Sequence, residues 1–271
     1  MSIITLLTDF GTDDEYVGVM KGAILSTNPS ATIVDITHQV DPQDLTHGAY
    51  LIRSYPEYFP PGTIHLVIVD PGVGSKRSIV AAERKGDCFL APDNGILTLF
   101  LKEGSVDRSV TVDNERYFIE PVSRTFHGRD IFAPVGAHLS LGIDLLQIGN
   151  PVDPGSLVTL DIQDAYVDDS GALVGSVISI DRFGNLITNI HQEAMAHFSQ
   201  IQGDKPFTIV ICGKEIVGPA SSYSSGRPQE PLAITGSRGY LEIAVNSGNA
   251  QQFFMAEKGT PVRLSPSYES P

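Results

Sequence analysis

Three short apolar runs, Ser2–Leu7, Thr32–Ile36 and Ile64–Val69, are separated by two segments with helical spacing. In the first segment Tyr16, Val19, Met20, Ala23 and Ile24 share one face. In the second, Asp41-Pro42 opens a helix with proline at its first position, running through Leu45, Ala49 and Ile52 to about Tyr55. The order strand, helix, strand, helix, strand confines this part of the chain to a parallel sheet with helices packed on it. Ile64–Val69 is rich in branched apolar residues and reads as a strand buried on both faces. It stops at Asp70, followed by Pro71-Gly72-Val73-Gly74 and the cations Lys76 and Arg77. Open α/β sheets place ligands at the carboxyl ends of their strands. Asp9, just past the first run, is equivalent in position to Asp70. Turn chemistry alone also accounts for an acid at a strand end.

Thr12 and Glu15 have capping-box spacing, which makes Asp13 and Asp14 first-turn acids of the helix that follows. Ser78–Glu83 and Cys88–Ala91 read as two further strands, Ile96–Leu101 as a short helix and Arg116–Ile119 as a strand. His127 lies in a short polar loop, Thr125–Asp130, ahead of a helix through Ile131, Val135 and Leu139. Around 151–170 the pattern changes to Pro, Gly and acidic residues, so 1–150 reads as an α/β domain, 151–170 as a linker and 171–271 as a smaller domain. The smaller domain has short alternating runs at Leu173–Ile180, Leu186–Ile190, Phe207–Cys212, Leu232–Thr235, Leu241–Val245 and Val262–Leu264. Only Glu193–Phe198 among its segments looks helical, so it is mainly β and barrel-like. Two of its loops stand out. Asp181-Arg182-Phe183-Gly184-Asn185 sets an aromatic beside an amide, and Gly236-Ser237-Arg238-Gly239-Tyr240 carries an arginine suited to a carboxylate. Glu242 is an acid inside an apolar strand, where alternation also permits it to face solvent.

The 18 basic and 32 acidic residues give a net charge of −14, which counts against a nucleic-acid partner. No apolar run reaches the roughly 20 residues of a membrane span. The acidic turn after the first few residues argues against a signal peptide. Cys88 and Cys212 form neither a disulfide framework nor a metal spacing, which points to the cytoplasm. Neither HxH nor HExxH spacing is present.

The segments TDFGTDDEYVGVMKG, IVDPGVGSKR, APDNG, TFHGRDIFAP, IDRFGNLITNI and GSRGYLEIAVN follow one another along nearly the whole chain. As an ordered set they resemble the S-adenosylmethionine hydrolases, or hydroxide adenosyltransferases, relatives of the S-adenosylmethionine-dependent fluorinase and chlorinase. The resemblance implies an N-terminal α/β domain, a C-terminal β domain and a homotrimer with ligand sites between subunits. It implies hydrolysis of S-adenosyl-L-methionine to adenosine and L-methionine, with no cofactor and no metal. Asp70, Arg77 and His127 match the trio around the attacking water; the halogenating relatives carry an aromatic in place of Asp70. Asp9 matches the acid that holds the ribose hydroxyls, and Phe126 joins the substrate wall. Asp181, Phe183 and Asn185 match the motif that meets the methionine amine and adenine, Ser237 and Arg238 lie near the methionine end, and Val245 and Asn246 lie near the adenine. Tyr223 as a stacking residue and Glu242 as a polar contact are additions from the residues themselves. Three alternatives stay open at this point. They are a halogenase, a metal-dependent hydrolase using Asp9, Asp13, Asp14, Asp70 and His127, and a non-catalytic nucleoside-binding protein.

Overall fold

The computed structural model describes residues 2–203 and 207–266, so the last residues of the expected β domain lie outside the described ones. The chain divides into two compact units, Met1–Ile162 and Gln163–Pro271.

The first unit contains β1 (Ile3–Thr8), α1 (Tyr16–Thr27), β2 (Thr32–Thr37), α2 (Leu45–Ile52), β3 (Ile64–Ile68), β4 (Ile79–Arg84), β5 (Asp87–Pro92) and α3 (Thr98–Lys102). It continues with β6 (Arg108–Val112), α4 (Ala133–Ser140), α5 (Leu145–Ile148) and β7 (Gly149–Pro151). Its sheet has the order β2-β1-β3-β5-β4-β6-β7. The first four strands in that order run parallel, and β4, β6 and β7 pair antiparallel. This is the α/β architecture the alternation predicts, with an antiparallel edge. Side chains alternate between two cores. Ile4, Leu6, Leu66 and Ile68 pack with Met20 and Ile24 of α1 and Val135 and Leu139 of α4. Leu7, Val67 and Val69 pack with Ile52 of α2 and Phe100 of α3. From β1 the chain passes to β2 on one side and then to β3 on the other, so the order reverses between β1 and β3. Ligands bind at such a switch point.

Several local expectations are corrected. Glu15 occupies the N-cap of α1 without a side-chain cap bond, so no Thr12–Glu15 capping box forms and Asp13 and Asp14 precede the first turn. Pro42 lies in a turn before α2; Asp44 is the cap, its carboxylate accepting from His47 N at 2.8 Å. Arg116–Ile119 is not a strand: Glu115–Tyr117 makes one 3₁₀ turn, and the strand of that region is β6. The stretch 151–170 is shared out, with Val152 N bonded to Ser109 O in the first unit and Tyr166–Val167 paired in the second.

The second unit contains β8 (Tyr166–Val167), β9 (Leu173–Ile180), β10 (Leu186–His191), α6 (Gln192–Ile201), β11 (Phe207–Ile211), β12 (Lys214–Val217) and β13 (Pro219–Ala220). It ends with β14 (Pro231–Thr235), β15 (Tyr240–Val245), α7 (Ala250–Phe254) and β16 (Pro261–Pro266). The sheet order is β12-β11-β16-β9-β10-β15-β14-β13, with β8 also on β9. Only Gly218 separates the edge strands β12 and β13 in the chain, so the sheet curls until its two edges nearly meet. β9 alternates strictly between buried and half-buried residues, as a strand with one core face must. Leu173, Val177, Ile243 and Val245 fill the interior with Phe198 of α6 and Phe254 of α7.

Candidate active site

At the switch point Thr8 of β1 stands level with Ile68 of β3, so just beyond the strand ends Asp9 comes level with Val69 and Asp70 lies one residue further on. Strand parity sends them different ways. Asp70 follows Leu66 and Ile68 toward the α1–α4 face. Asp9 follows Leu7 toward the α2 face, where Oδ2 accepts from Gln43 N at 2.8 Å.

The turn after Asp70 reverses the chain. Gly74 has φ +74°, and a Cβ there would stand 2.1 Å from Arg124 O, so only glycine fits. The reversal lays Arg77 back on Asp70. Arg77 Nε donates to Asp70 Oδ1 at 2.8 Å and to Oδ2 at 2.9 Å, and Nη2 also donates to Oδ2. The two side chains are 9% and 5% exposed, so this is a nearly dry, forked ion pair. Arg77 Nη2 also lies 2.8 Å from His127 Nδ1. A guanidinium has no acceptor, so Nδ1 accepts and the neutral ring carries its proton on Nε2. Burial, and then the Arg77 cation, hold the His127 pKa below its ordinary value, which keeps the ring neutral. His127 is also bonded to the Ser123 backbone, and Ser123 is fixed in turn by Asp130, which is fully buried, accepts from Ser123 N at 2.8 Å and is paired with Arg129. Directly after His127 the chain enters one π-type turn, Gly128–Phe132, leading into α4.

Asp9, Asp70, Phe126 and His127 line one cleft of about 310 Å³. Sequence reasoning missed Phe10, Tyr16 and Val73, which line it too. Tyr16 was assigned to the inward face of α1, yet it is 42% exposed and packs edge-on against Phe126 with ring centroids 5.1 Å apart. Its place directly after a carboxylate-rich turn was the available signal.

The second unit has a cleft of about 520 Å³ lined by Asp181, Phe183, Asn185, Tyr223, Val245 and Asn246, together with Ser247 and Gly248. Asp181 builds its loop: Oδ1 accepts from Phe183 N and Asn185 N, each at 2.8 Å, and Oδ2 accepts from Asn185 Nδ2 at 2.9 Å. Phe183 stands in the middle of this loop and is 74% exposed. Ser237 and Arg238 fall outside this cleft, in the β14–β15 turn, at the opposite end of β15 from Val245 and Asn246. Glu242 is not at the surface: it is 6% exposed and accepts from Tyr223 OH at 2.7 Å.

Asp9, Asp13, Asp14, Asp70 and His127 do not gather as metal ligands. Among the described residues the convergent set is Asp41, Asp44 and His47, with ligand atoms within 4.8 Å of one another. Nor is any described helix long and apolar enough to cross a membrane.

Residues 4–149 match the SAM hydroxide adenosyltransferase N-terminal domain, and residues 175–263 match the C-terminal domain of the same family. The chain is 34% identical to the (R)-S-adenosyl-L-methionine hydrolase of Thermus thermophilus, over 97% of this chain and 100% of that one. It is 41% identical to the enzyme of the same name from Methanocaldococcus jannaschii, over 71% and 68% of the two chains. A fluorinase from Actinopolyspora mzabensis is 27% identical; that alignment runs over 291 positions against the 271 residues here, so the fluorinase carries residues this chain lacks. A crystal structure of an uncharacterized conserved protein from Thermotoga maritima superposes with a TM-score of 0.88 at 35% identity, covering 97% of this chain and 99% of that one.

Proposed function

Because this chain belongs to the SAM hydroxide adenosyltransferase family, we propose that it hydrolyses S-adenosyl-L-methionine to adenosine and L-methionine at the Asp70–Arg77–His127 cleft. The names of its relatives make the (R) sulfonium epimer the first substrate to test. The observation that carries this reading is the network itself: a cation held by a carboxylate on one side and a neutral imidazole on the other, where both partners, Asp70 and His127, line the cleft and Arg77 stands behind them.

Water attacks C5′ of the ribose in line with the carbon–sulfur bond. The new bond is carbon–oxygen, the breaking bond is carbon–sulfur, and its electron pair stays on sulfur. The leaving group departs as a neutral thioether and needs no acid. The difficulty is the nucleophile, which must lose a proton. Arg77 stabilises the negative charge that grows on the water oxygen. His127 Nδ1 is occupied by Arg77 and a backbone bond to Ser123 also holds the ring, so His127 fixes Arg77 in place beside the attacking water. Asp70 lines the cleft and each carboxylate oxygen has two acceptor sites, so Asp70 receives the water proton, which then passes to solvent. Holding water and C5′ in line supplies much of the rate. Asp9 takes the ribose hydroxyls, and Phe183, Tyr223, Asn185 and Asn246 take the adenine. The reading includes a cytoplasmic location and a homotrimer with ligand sites between subunits. The family resemblance supports the trimer, and two free cysteines are compatible with the cytoplasm.

The test is to incubate the protein with each sulfonium epimer and identify the nucleoside released. Adenosine from the (R) epimer, lost in Asp70→Asn, supports the reading. Halogenated nucleoside in the presence of chloride or fluoride would replace it with a halogenase, and binding without turnover would replace it with a sensor.

A further inference from the structure

Glu242 is the one acid on β15, a strand buried along its whole length. Leu241, Ile243 and Val245 point into the barrel core. Alternation sends Tyr240, Glu242 and Ala244 to the other face, and there Ala244 packs with Leu232, Ile234 and Ala220. Glu242 therefore shares its face with this small apolar cluster and is only 6% exposed. A charge in such a place requires a partner. Tyr223 supplies one, its hydroxyl donating to Oε2 at 2.7 Å. The other oxygen lies against the chain at Gly236, where a Cβ would stand 1.8 Å from Oε1.

Tyr223 is one of the residues that line the second cleft. The residue is 46% exposed while its hydroxyl is tied inward to Glu242. The loop that carries it is fastened on both sides. Ser222 and Ser225 form a reciprocal capping box around the single turn Tyr223–Ser225. Asn246 Nδ2 donates to Gly226 O at 2.7 Å, and Gln229 N donates to Asn246 O at 2.7 Å. The backbone is thus anchored, and the rotation of the ring is what remains to be set.

We propose that Glu242 is a positioning residue that touches no substrate atom and fixes the Tyr223 ring as a standing wall of the adenine slot. This rests on reading the second cleft as that slot. Burial, and then the hydrogen bond to Glu242, raise the Tyr223 pKa to about 12, so the phenol stays a donor throughout the neutral range. A ring already held in place does not have to be ordered when the purine arrives, and preorganisation of this kind appears as tighter binding rather than faster chemistry.

The test compares Tyr223→Phe, Glu242→Gln and Glu242→Ala, using adenosine titration by calorimetry and the KM and kcat for hydrolysis. Tyr223→Phe keeps the ring and loses the tether; Glu242→Gln keeps an acceptor and loses the charge. The expected result is adenosine binding weakened roughly threefold to tenfold in Tyr223→Phe and Glu242→Ala, KM raised by the same factor, kcat unchanged, and Glu242→Gln close to the wild type. Tyr223→Phe binding as tightly as the wild type would overturn the proposal. So would Glu242→Gln losing as much as Glu242→Ala, since the charge itself would then be in use. If Glu242→Ala does not fold, Tyr223→Phe alone decides. A wild-type protein that binds adenosine without hydrolysing either epimer sinks the hydrolase reading and leaves this one standing.

Discussion

Arg77→Gln is the most informative single change. The native guanidinium donates from Nε to both oxygens of Asp70, from Nη2 to Oδ2, and from Nη2 to His127 at 2.8 Å. A glutamine amide has no charge and cannot span the two partners. The Asp70 side chain is 5% exposed, and removing one member of a buried pair costs about 3 kcal/mol. Against a typical stability of about 5–15 kcal/mol the protein still folds. Loss of one preorganised donor to a developing oxyanion lowers kcat by about 10²–10³-fold. The pH dependence supplies a sign. His127 titrates below its ordinary 6.5 because of burial first and Arg77 second, while Asp70 and Asp130 pull the other way. Removing the Arg77 cation leaves burial alone to depress the pKa. The acid limb of the kcat profile, where the ring becomes charged, therefore moves to higher pH in the variant. Adenosine release followed chromatographically from pH 5 to 9 measures both effects, with a thermal melt to confirm folding. A kcat within tenfold of the wild type, or an acid limb that stays or moves down, refutes the reasoning.

Three further outcomes are expected. His65 is fully buried beside Thr5, and burial pulls its pKa from 6.5 to about 4. The unfolded chain then takes up a proton that the folded chain refuses, so stability is lost as pH falls from about 6.5 toward 4, by about 3 kcal/mol in all. Urea unfolding at pH 7 and pH 4.5 reads this, and a His65→Asn variant with an equally steep acid loss would count against it. Gly74→Ala forces a Cβ to within 2.1 Å of Arg124 O at φ +74°, so the turn that returns Arg77 to Asp70 must open. Activity is expected to fall at least tenfold with a stability loss of about 1–3 kcal/mol, and an active, equally stable variant shows that the turn does not set the pair. Chelation leaves the rate unchanged because a neutral thioether needs no Lewis acid; a rate lost with chelator and restored by a divalent ion reinstates the metal reading.

The fold was largely legible because its signals are local. The buried runs of β1 and β3, the helical period of α1 and the two-residue alternation of β9 each appear within a few residues. The N-cap errors at Glu15 and Pro42 arose where two local signals competed and the tertiary position of the turn decided. The strand β6 was missed because its alternation is short and it pairs only with the non-local strands β4 and β7. In the site, Asp70, Arg77 and His127 were visible as residue types in suitable turns, but their contact spans 50 positions of sequence and is a product of packing. Tyr16 was hidden because an aromatic residue at helical spacing normally reads as core, and Phe10 because it sits in a polar turn outside any periodic pattern. Alternation permitted Glu242 to face solvent, and its burial with the Tyr223 hydroxyl bonded to it is a long-range contact that no local pattern shows.

The presence of Arg77 itself argues for turnover rather than storage. A pocket meant only to hold a sulfonium is best lined with carboxylates or aromatic faces, and a guanidinium works against that. In the resting state Asp70 offsets the charge, so the pair is close to neutral toward an incoming cation. During attack the water oxygen gains negative charge while sulfur loses its positive charge. Both changes make the nearby cation more favourable than it was in the ground state, which is the condition for raising kcat instead of lowering KM. The expected signature of Arg77→Gln is therefore a large fall in kcat with substrate affinity equal to or better than that of the wild type. Equilibrium binding of the sulfonium substrate to this slow variant measures it. A Kd weakened by the same factor as kcat would make Arg77 a binding residue and return the chain to the non-catalytic reading.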